Sequence, residues 1–270
     1  MLTISLEGGE NNGFKLLYAV LFFCLFLLTP NLLAQELVLT TGINPPLVRS
    51  AEHEGFVESV VEEVFRRLNI KVRVANEPSK LSLINANSGK DDGVALRIFG
   101  IEKTYKNLIR VPEVIMCSEF VAYSKDKYPA ISAWSELEKY NISYVNGWRI
   151  FENNINHRGS VIKSDSAEFL FSMLRDDKAE LVLYEKWQGI VLAKSVGMLS
   201  VVENKLPIKP KNMYIYLHRK HSHLVGDVAI ILRQMKSDGT YQRIFDNTLK
   251  RHASADFSGG YKMQILSGCE

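Results

Sequence analysis

The sequence predicts an α/β protein of two lobes joined by a two-segment hinge, and three observations predict it. Short strand-like runs alternate with helix-like stretches from residue 37 onward. The alternation restarts after a charged, proline-containing linker at about residues 124–130, and a second linker at about 205–212 carries Pro207 and Pro210. After the second linker come one strand and two helices, which are expected to return to the first lobe. The boundaries that follow are 36–124 plus 212–250 for one lobe, 125–211 for the other, and a tail at 251–270.

Ahead of this alternation, Leu16 to Leu28 is an unbroken apolar run that follows Lys15 and ends near Pro30. A spanning helix needs roughly 20 apolar residues, whereas runs of about 10–14 suit the core of an export leader. Leu32-Leu33-Ala34-Gln35 reads as a cleavage site after Ala34, so residues 1–34 are expected to be a signal peptide. Glu7 and Glu10 depart from the usual leader pattern, and a start codon placed too far upstream would explain them. An uncleaved membrane anchor is the alternative.

In the first half, Leu37 to Thr41 is β-prone and is closed by Gly42 and Pro45-Pro46. Val57, Val60, Val61, Val64 and Leu68 recur at helical spacing, with Glu62/Arg66 and Glu63/Arg67 as outer i,i+4 pairs. Strands are expected at Lys71–Ala75, Gly93–Ile98 and Leu108–Val111, the last ending before Pro112, with a short helix from Pro78 to Asn87. That β-α-β-α-β order favours a parallel, helix-covered sheet. Val114 to Tyr123 is a further, long β-prone run.

In the second half, a helix is expected around Trp134–Lys139, a strand at Ile142–Val145, and a helix from Arg149 after Gly147. Strand Val161–Lys163 leads into Ser164-Asp165-Ser166, good N-cap residues for a helix from Glu168 to Leu174. Strand Leu181–Tyr184, helix Lys186–Val196 and a last strand at Leu199–Val202 precede the second linker. Beyond it come strand Met213–Leu217, a helix from Leu224 to Met235 and, after Gly239, another from Tyr241 to Leu249.

The chain has 270 residues, 46% hydrophobic and 23% charged, ordinary for a globular protein. Loss of 34 residues would leave 236, with 32 basic and 28 acidic side chains and a net charge of +4. Nothing in that balance calls for nucleic acid or a membrane surface as a partner. Cys24 lies in the leader, outside any lipoprotein context; Cys117 and Cys269 either pair in an oxidising compartment or leave Cys117 as a buried thiol.

Several segments together resemble one family, the type II periplasmic solute-binding proteins of ABC importers, in the group that binds polar amino acids. Leu37 through Pro46 is similar to that family's opening strand and loop, Gly55-Phe56-Val57 to its next helix start, and Gly89 through Gly93 to the turn before its third strand. Glu180–Glu185 resembles the second lobe's acidic-ended strand, and Asp238-Gly239-Thr240 with Ile244 the closing pattern. The resemblance implies a periplasmic monomer that closes by hinge motion on a small polar, amino-acid-like solute, and an ABC permease or a membrane sensor as its partner.

By the same resemblance, Asn44 stands where an aromatic residue covers the ligand, and Glu185 near the aspartate that receives the ligand ammonium. The family's carboxylate-clamping arginine is missing from Ile101–Tyr105; Arg97, at a strand end, is the nearest substitute, with Tyr105 a weaker candidate. Gly147 opens a helix start whose N–H groups suit an anion, and Trp148 replaces the usual hydroxyl residue there and could stack on a ligand. Structural alternatives stand beside each: an ion pair for Arg97, a helix-start acid for Glu185, simple packing for Trp148.

His218, His221 and His223 lack a completing cysteine or carboxylate, so no metal or other cofactor is expected. Gly-x-Ser-x-Gly, His-Glu-x-x-His and phosphate-cradling loops are missing, which favours a binding protein over an enzyme. If the scaffold were catalytic, Glu185 is the acid it would use. A module that reports ligand state to a separate receptor is the remaining alternative.

Overall fold

The computed structural model describes residues 36–128, 131–155, 160–198, 200–252 and 269; the expected signal peptide and most of the tail lie outside the described residues. In chain order the elements are β1 (Leu37–Thr41), α1 (Phe56–Arg67), β2 (Val72–Asn76), α2 (Ser79–Ser88), β3 (Gly93–Ile98) and β4 (Leu108–Ser118). Then come β5 (Phe120–Ser124), β6 (Ile142–Val145), α3 (Arg149–Glu152), β7 (Val161–Ser164), α4 (Ala167–Arg175), β8 (Leu181–Glu185), α5 (Lys186–Ser195) and β9 (Val202–Lys205). The chain closes with β10 (Lys211–His218), α6 (Val225–Ser237) and α7 (Thr240–Thr248).

Ten strands form two five-stranded sheets, ordered β2-β1-β3-β10-β4 and β7-β6-β8-β5-β9. In the first, β1 runs parallel to β2 and β3, while β10 is antiparallel to β3 and β4. In the second, β6 runs parallel to β7 and β8, while β5 is antiparallel to β8 and β9. The two sheets are topologically equivalent, each with four strands running one way and a single reversed strand, β10 in the first and β5 in the second. The parallel arrangement expected of the β-α-β-α-β stretch holds for β1, β2 and β3, and only β10 runs against it. A strand arriving from the other lobe need not obey the right-handed crossover that makes consecutive βαβ strands parallel.

The lobe boundary also moves. Val114 to Tyr123 is not one strand of the first lobe: β4 runs on through Pro112 to Ser118, and after Glu119 the chain enters the second sheet as β5. Pro112 is tolerated because β4 is an edge strand, where a missing N–H need not cost a ladder bond. β9 lies at Val202–Lys205 rather than 199–202, its polar Glu203 and Lys205 fitting an edge strand that periodicity does not flag. The 134–139 helix is a 3-10 segment. Two connections thus join the sheets, Glu119 and residues 206–210.

Burial explains α1. Phe56, Val57, Val60, Val61, Val64 and Phe65 are all inaccessible to solvent and pack toward β2 and α7. Of its two expected charge pairs, Glu63/Arg67 forms and Glu62/Arg66 does not. Glu63 holds both Arg66 (2.6 Å) and Arg67 (2.8 Å), while Glu62 lies 3.6 Å from Arg49. Arg67 is then free to reach Asp238 at 2.7 Å and the Thr240 hydroxyl at 2.8 Å. The Asp238-Gly239-Thr240 motif is therefore a latch: Gly239 turns the chain at φ +80°, and the motif fastens the start of α7 to α1.

Cys117 and Cys269 form a disulfide with Cα atoms 5.6 Å apart. Beside it the Asn212 amide clasps the Cys269 backbone, donating to its carbonyl at 3.0 Å and accepting from its N–H at 2.6 Å. Cys117 is the last residue but one of β4 and Asn212 the second of β10, register partners in the first sheet. The tail residue is thus fixed against both strands that lead to the second lobe.

Candidate functional site

Five of the six strands that pair in parallel lead to residues that line one cavity, as ligand sites in α/β proteins require. β1 delivers Ile43 and Asn44, β2 leads to Ser79, and β3 ends at Arg97 and Ile98. From the other sheet β6 leads to Gly147 and Trp148, and β8 ends at Glu185. Between them lies a cavity of about 50 Å³. Its walls include Ile43, Ile98, Ile101, Phe120, Ile150 and Met213, with Ser79, Arg97, Ser118 and Glu185 as polar members.

Arg97 is 8% exposed and has no carboxylate partner among the described residues. Its guanidinium donates only to neutral oxygens: Leu96 O (3.2 Å), Ser79 O (3.1 Å) and Ser82 Oγ (2.7 Å). Its Nε–H is unsatisfied. Burial pulls its pKa down to about 10, so it stays charged at neutral pH. A buried cation without a counter-charge is costly, which makes this guanidinium a natural partner for an anion.

Glu185 is 2% exposed and caps α5 by accepting at Oε2 from the Gln188 N–H and side-chain amide, both at 3.1 Å. Its Oε1 receives no hydrogen bond. Burial raises its pKa to about 7, and hydrogen bonds from Gln188 and from the Trp187 backbone N–H oppose that only in part. The Ser79 and Ser118 hydroxyls are likewise without partners. Four unsatisfied buried polar atoms therefore belong to residues lining one small cavity, where native interiors tolerate few.

The other candidates fall in different places. Gly147 lines the cavity with φ +84°, and a Cβ there would stand 2.7 Å from the Lys80 N of the opposite lobe. Only glycine lets the two backbones meet so closely. Trp148 lines the cavity too, but its ring stacks on Tyr184 (4.5 Å) and Phe151 (5.9 Å), so packing uses the surface expected to stack on a ligand.

Asn44 is outside the cavity and ties the lobes together instead: its amide donates to the Tyr184 hydroxyl and its N–H to Gln188 Oε1, each at 2.7 Å. Asn44 also edges a second depression between the lobes, about 360 Å³, which shares Ser79 with the first and carries Glu77, Asp165 and Glu168. Tyr105 does not line the cavity; it packs with Ile101 and Leu108 in a separate apolar cluster.

Sequence reasoning missed Ser79, Ser118 and Gln188. Serines carry no pattern that distinguishes a cavity hydroxyl from a helix start or a strand end. Only the fold places them. His221 lies elsewhere, 2.7 Å from Asp92, which Lys220 also meets at 2.8 Å; among the described residues no cluster of three metal-ligating side chains forms.

Two sheets of this order, linked twice and closing on strand ends, define the bilobed type II periplasmic-binding-protein fold. Comparisons with known structures agree. The substrate-binding protein of an amino acid ABC transporter superposes with a TM-score of 0.67 at 16% identity, over 80% of this chain and all of that one. A histidine kinase sensor domain similar to periplasmic binding proteins matches with a TM-score of 0.67 at 10% identity, over 80% of this chain and 96% of that one. A protein of Shewanella oneidensis (strain MR-1) described as uncharacterized is 22% identical over 251 residues, covering 88% of this chain and 93% of its own. No family model matches the chain.

Proposed function

We propose that this chain is an exported receptor that captures a small polar, amino-acid-like solute between its lobes for ABC-type uptake. One observation carries the proposal: a buried, counter-charge-free Arg97 and a buried Glu185 with an open lone pair border the same interlobe cavity. A ligand carboxylate meets the guanidinium in the charge-assisted geometry that arginine provides best, and a ligand donor meets Glu185 Oε1. Each anchor comes from a different lobe, so the ligand favours the closed state through contacts that the open state lacks.

Export rests on the apolar run 16–28 and the Ala34-Gln35 junction; fractionation with N-terminal sequencing of the processed protein tests it. A thermal-shift screen against amino acids, amines and organic acids tests capture, because ligands that bind the native state raise its melting temperature. A hit whose affinity is unchanged in Arg97→Ala removes Arg97 from the site; the expected loss is at least tenfold, roughly 1.4 kcal/mol.

The likeness to a kinase sensor domain favours one other reading, in which the closed form signals to a membrane receptor rather than feeding a permease. Uptake of the identified ligand by cells with and without the protein separates the two. Glu185 also suits a catalytic acid, and turnover of the ligand that disappears in Glu185→Gln would replace the receptor reading by an enzyme.

A further inference from the structure

From the distribution of hydrogen-bonding capacity around the cavity, we infer that its ligand is an amino acid with an apolar side chain. The inference rests on the receptor reading above and sharpens it, because it concerns the part of the ligand that neither anchor touches. The four open polar atoms fall into two pairs. Ser79 and Arg97 stand together in the first lobe, where the guanidinium already donates to the Ser79 carbonyl at 3.1 Å. Ser118 lies two residues before Phe120, the register partner of Glu185 across β5 and β8.

The first pair offers an N–H and a hydroxyl to an anion; the second offers a carboxyl oxygen and a hydroxyl to a cation. That is the complement of one carboxylate and one ammonium. It uses all four buried polar atoms that lack a partner at the cavity. Two of the other polar side chains at its wall already have partners. Gln188 gives its amide N–H to Glu185 and its oxygen to the Asn44 N–H, and Arg149 pairs with Glu152 at 3.2 Å.

Most of what is left of the wall is hydrocarbon. Ile43, Ile101, Phe120, Ile150 and Met213 are each buried and carry nothing that could satisfy an amide, a guanidinium or a second carboxylate. A polar side chain placed there would be dehydrated without a partner, which costs affinity. An aliphatic or aromatic side chain loses nothing on entry and gains burial.

Isothermal titration of the protein produced from the full chain decides the matter, with L-valine, L-leucine, L-isoleucine and L-phenylalanine set against L-arginine, L-glutamine and L-aspartate. At least one apolar amino acid is expected to bind roughly 100-fold more tightly than any polar one. 4-Methylpentanoate and 3-methylbutylamine, which are leucine without its ammonium or its carboxylate, are each expected to bind at least roughly tenfold more weakly than leucine, since each leaves one pair open. Polar amino acids that bind as tightly as the apolar ones overturn the inference while leaving the receptor reading intact. Binding of no amino acid in either set overturns the receptor reading itself, so the two failures are distinguishable.

Discussion

At the scale of single residues, Arg97 and Glu185 are both held against their chemical preference, and the direction of each strain is measurable. Arg97 is a buried cation that contacts only neutral oxygens. Replacing a buried charge by an apolar side chain of similar length is often neutral or stabilising. Arg97→Met is therefore expected to melt no lower than the parent without ligand, yet to lose at least about tenfold in affinity. A marked fall in melting temperature would make Arg97 a structural residue.

Glu185 gives a pH signature. Its native pKa is raised to about 7 from the usual carboxylate value of 4.5, so between those values the native state holds a proton that the unfolded chain has released. Its contribution to stability is thus full below pH about 4.5 and is lost as pH rises toward 7, on the order of 3 kcal/mol. Glu185→Gln should flatten that part of the stability–pH curve relative to the parent. A ligand ammonium would lower the same pKa, so binding near pH 6 should release a proton. Calorimetry in buffers of different ionisation enthalpy counts it; parallel stability–pH curves for parent and variant would remove the shift from Glu185.

At the scale of elements, the disulfide joins positions 152 residues apart and holds a tail residue against β4 and β10. Cross-links of this kind contribute about 2–4 kcal/mol, mainly by restricting the unfolded chain. Cys269→Ser is expected to lower stability by about that amount in denaturant titrations run under oxidising conditions. Equal midpoints for the two proteins would mean that the bond does not form.

Elements also show where the sequence was legible. α1 and α4 were readable because one-sided burial stamps a helical period on the chain. The change of sheet at Glu119 was not, because a strand ending one sheet and a strand beginning another are equally β-prone. Arg97, Gly147, Trp148 and Glu185 could be named through the family resemblance, and they line one cavity in the structure. Asn44 and Tyr105 do not join them, since a position in a loop or after a short turn does not fix which way a side chain points.

At the scale of the whole molecule, the proposed receptor role makes capture depend on how far the two lobes can approach. The limit is set where Gly147 of one lobe meets Lys80 of the other, and the Asn44 hydrogen bonds to Tyr184 and Gln188 hold the same edge. Both anchors border a cavity that this approach encloses, so ligand affinity should track closure rather than lobe stability. Gly147→Ala tests the coupling. A Cβ 2.7 Å from the Lys80 N forces the backbones apart, and φ +84° suits no other common residue. Tyr184→Phe, by contrast, removes a single interlobe hydrogen bond without any clash. Small-angle scattering should find Gly147→Ala more open than the parent in saturating ligand, with affinity at least about tenfold lower, and Tyr184→Phe intermediate. If Gly147→Ala binds as tightly as the parent at an unchanged radius of gyration, the lobes do not need this contact, and the cavity must be closed from another side.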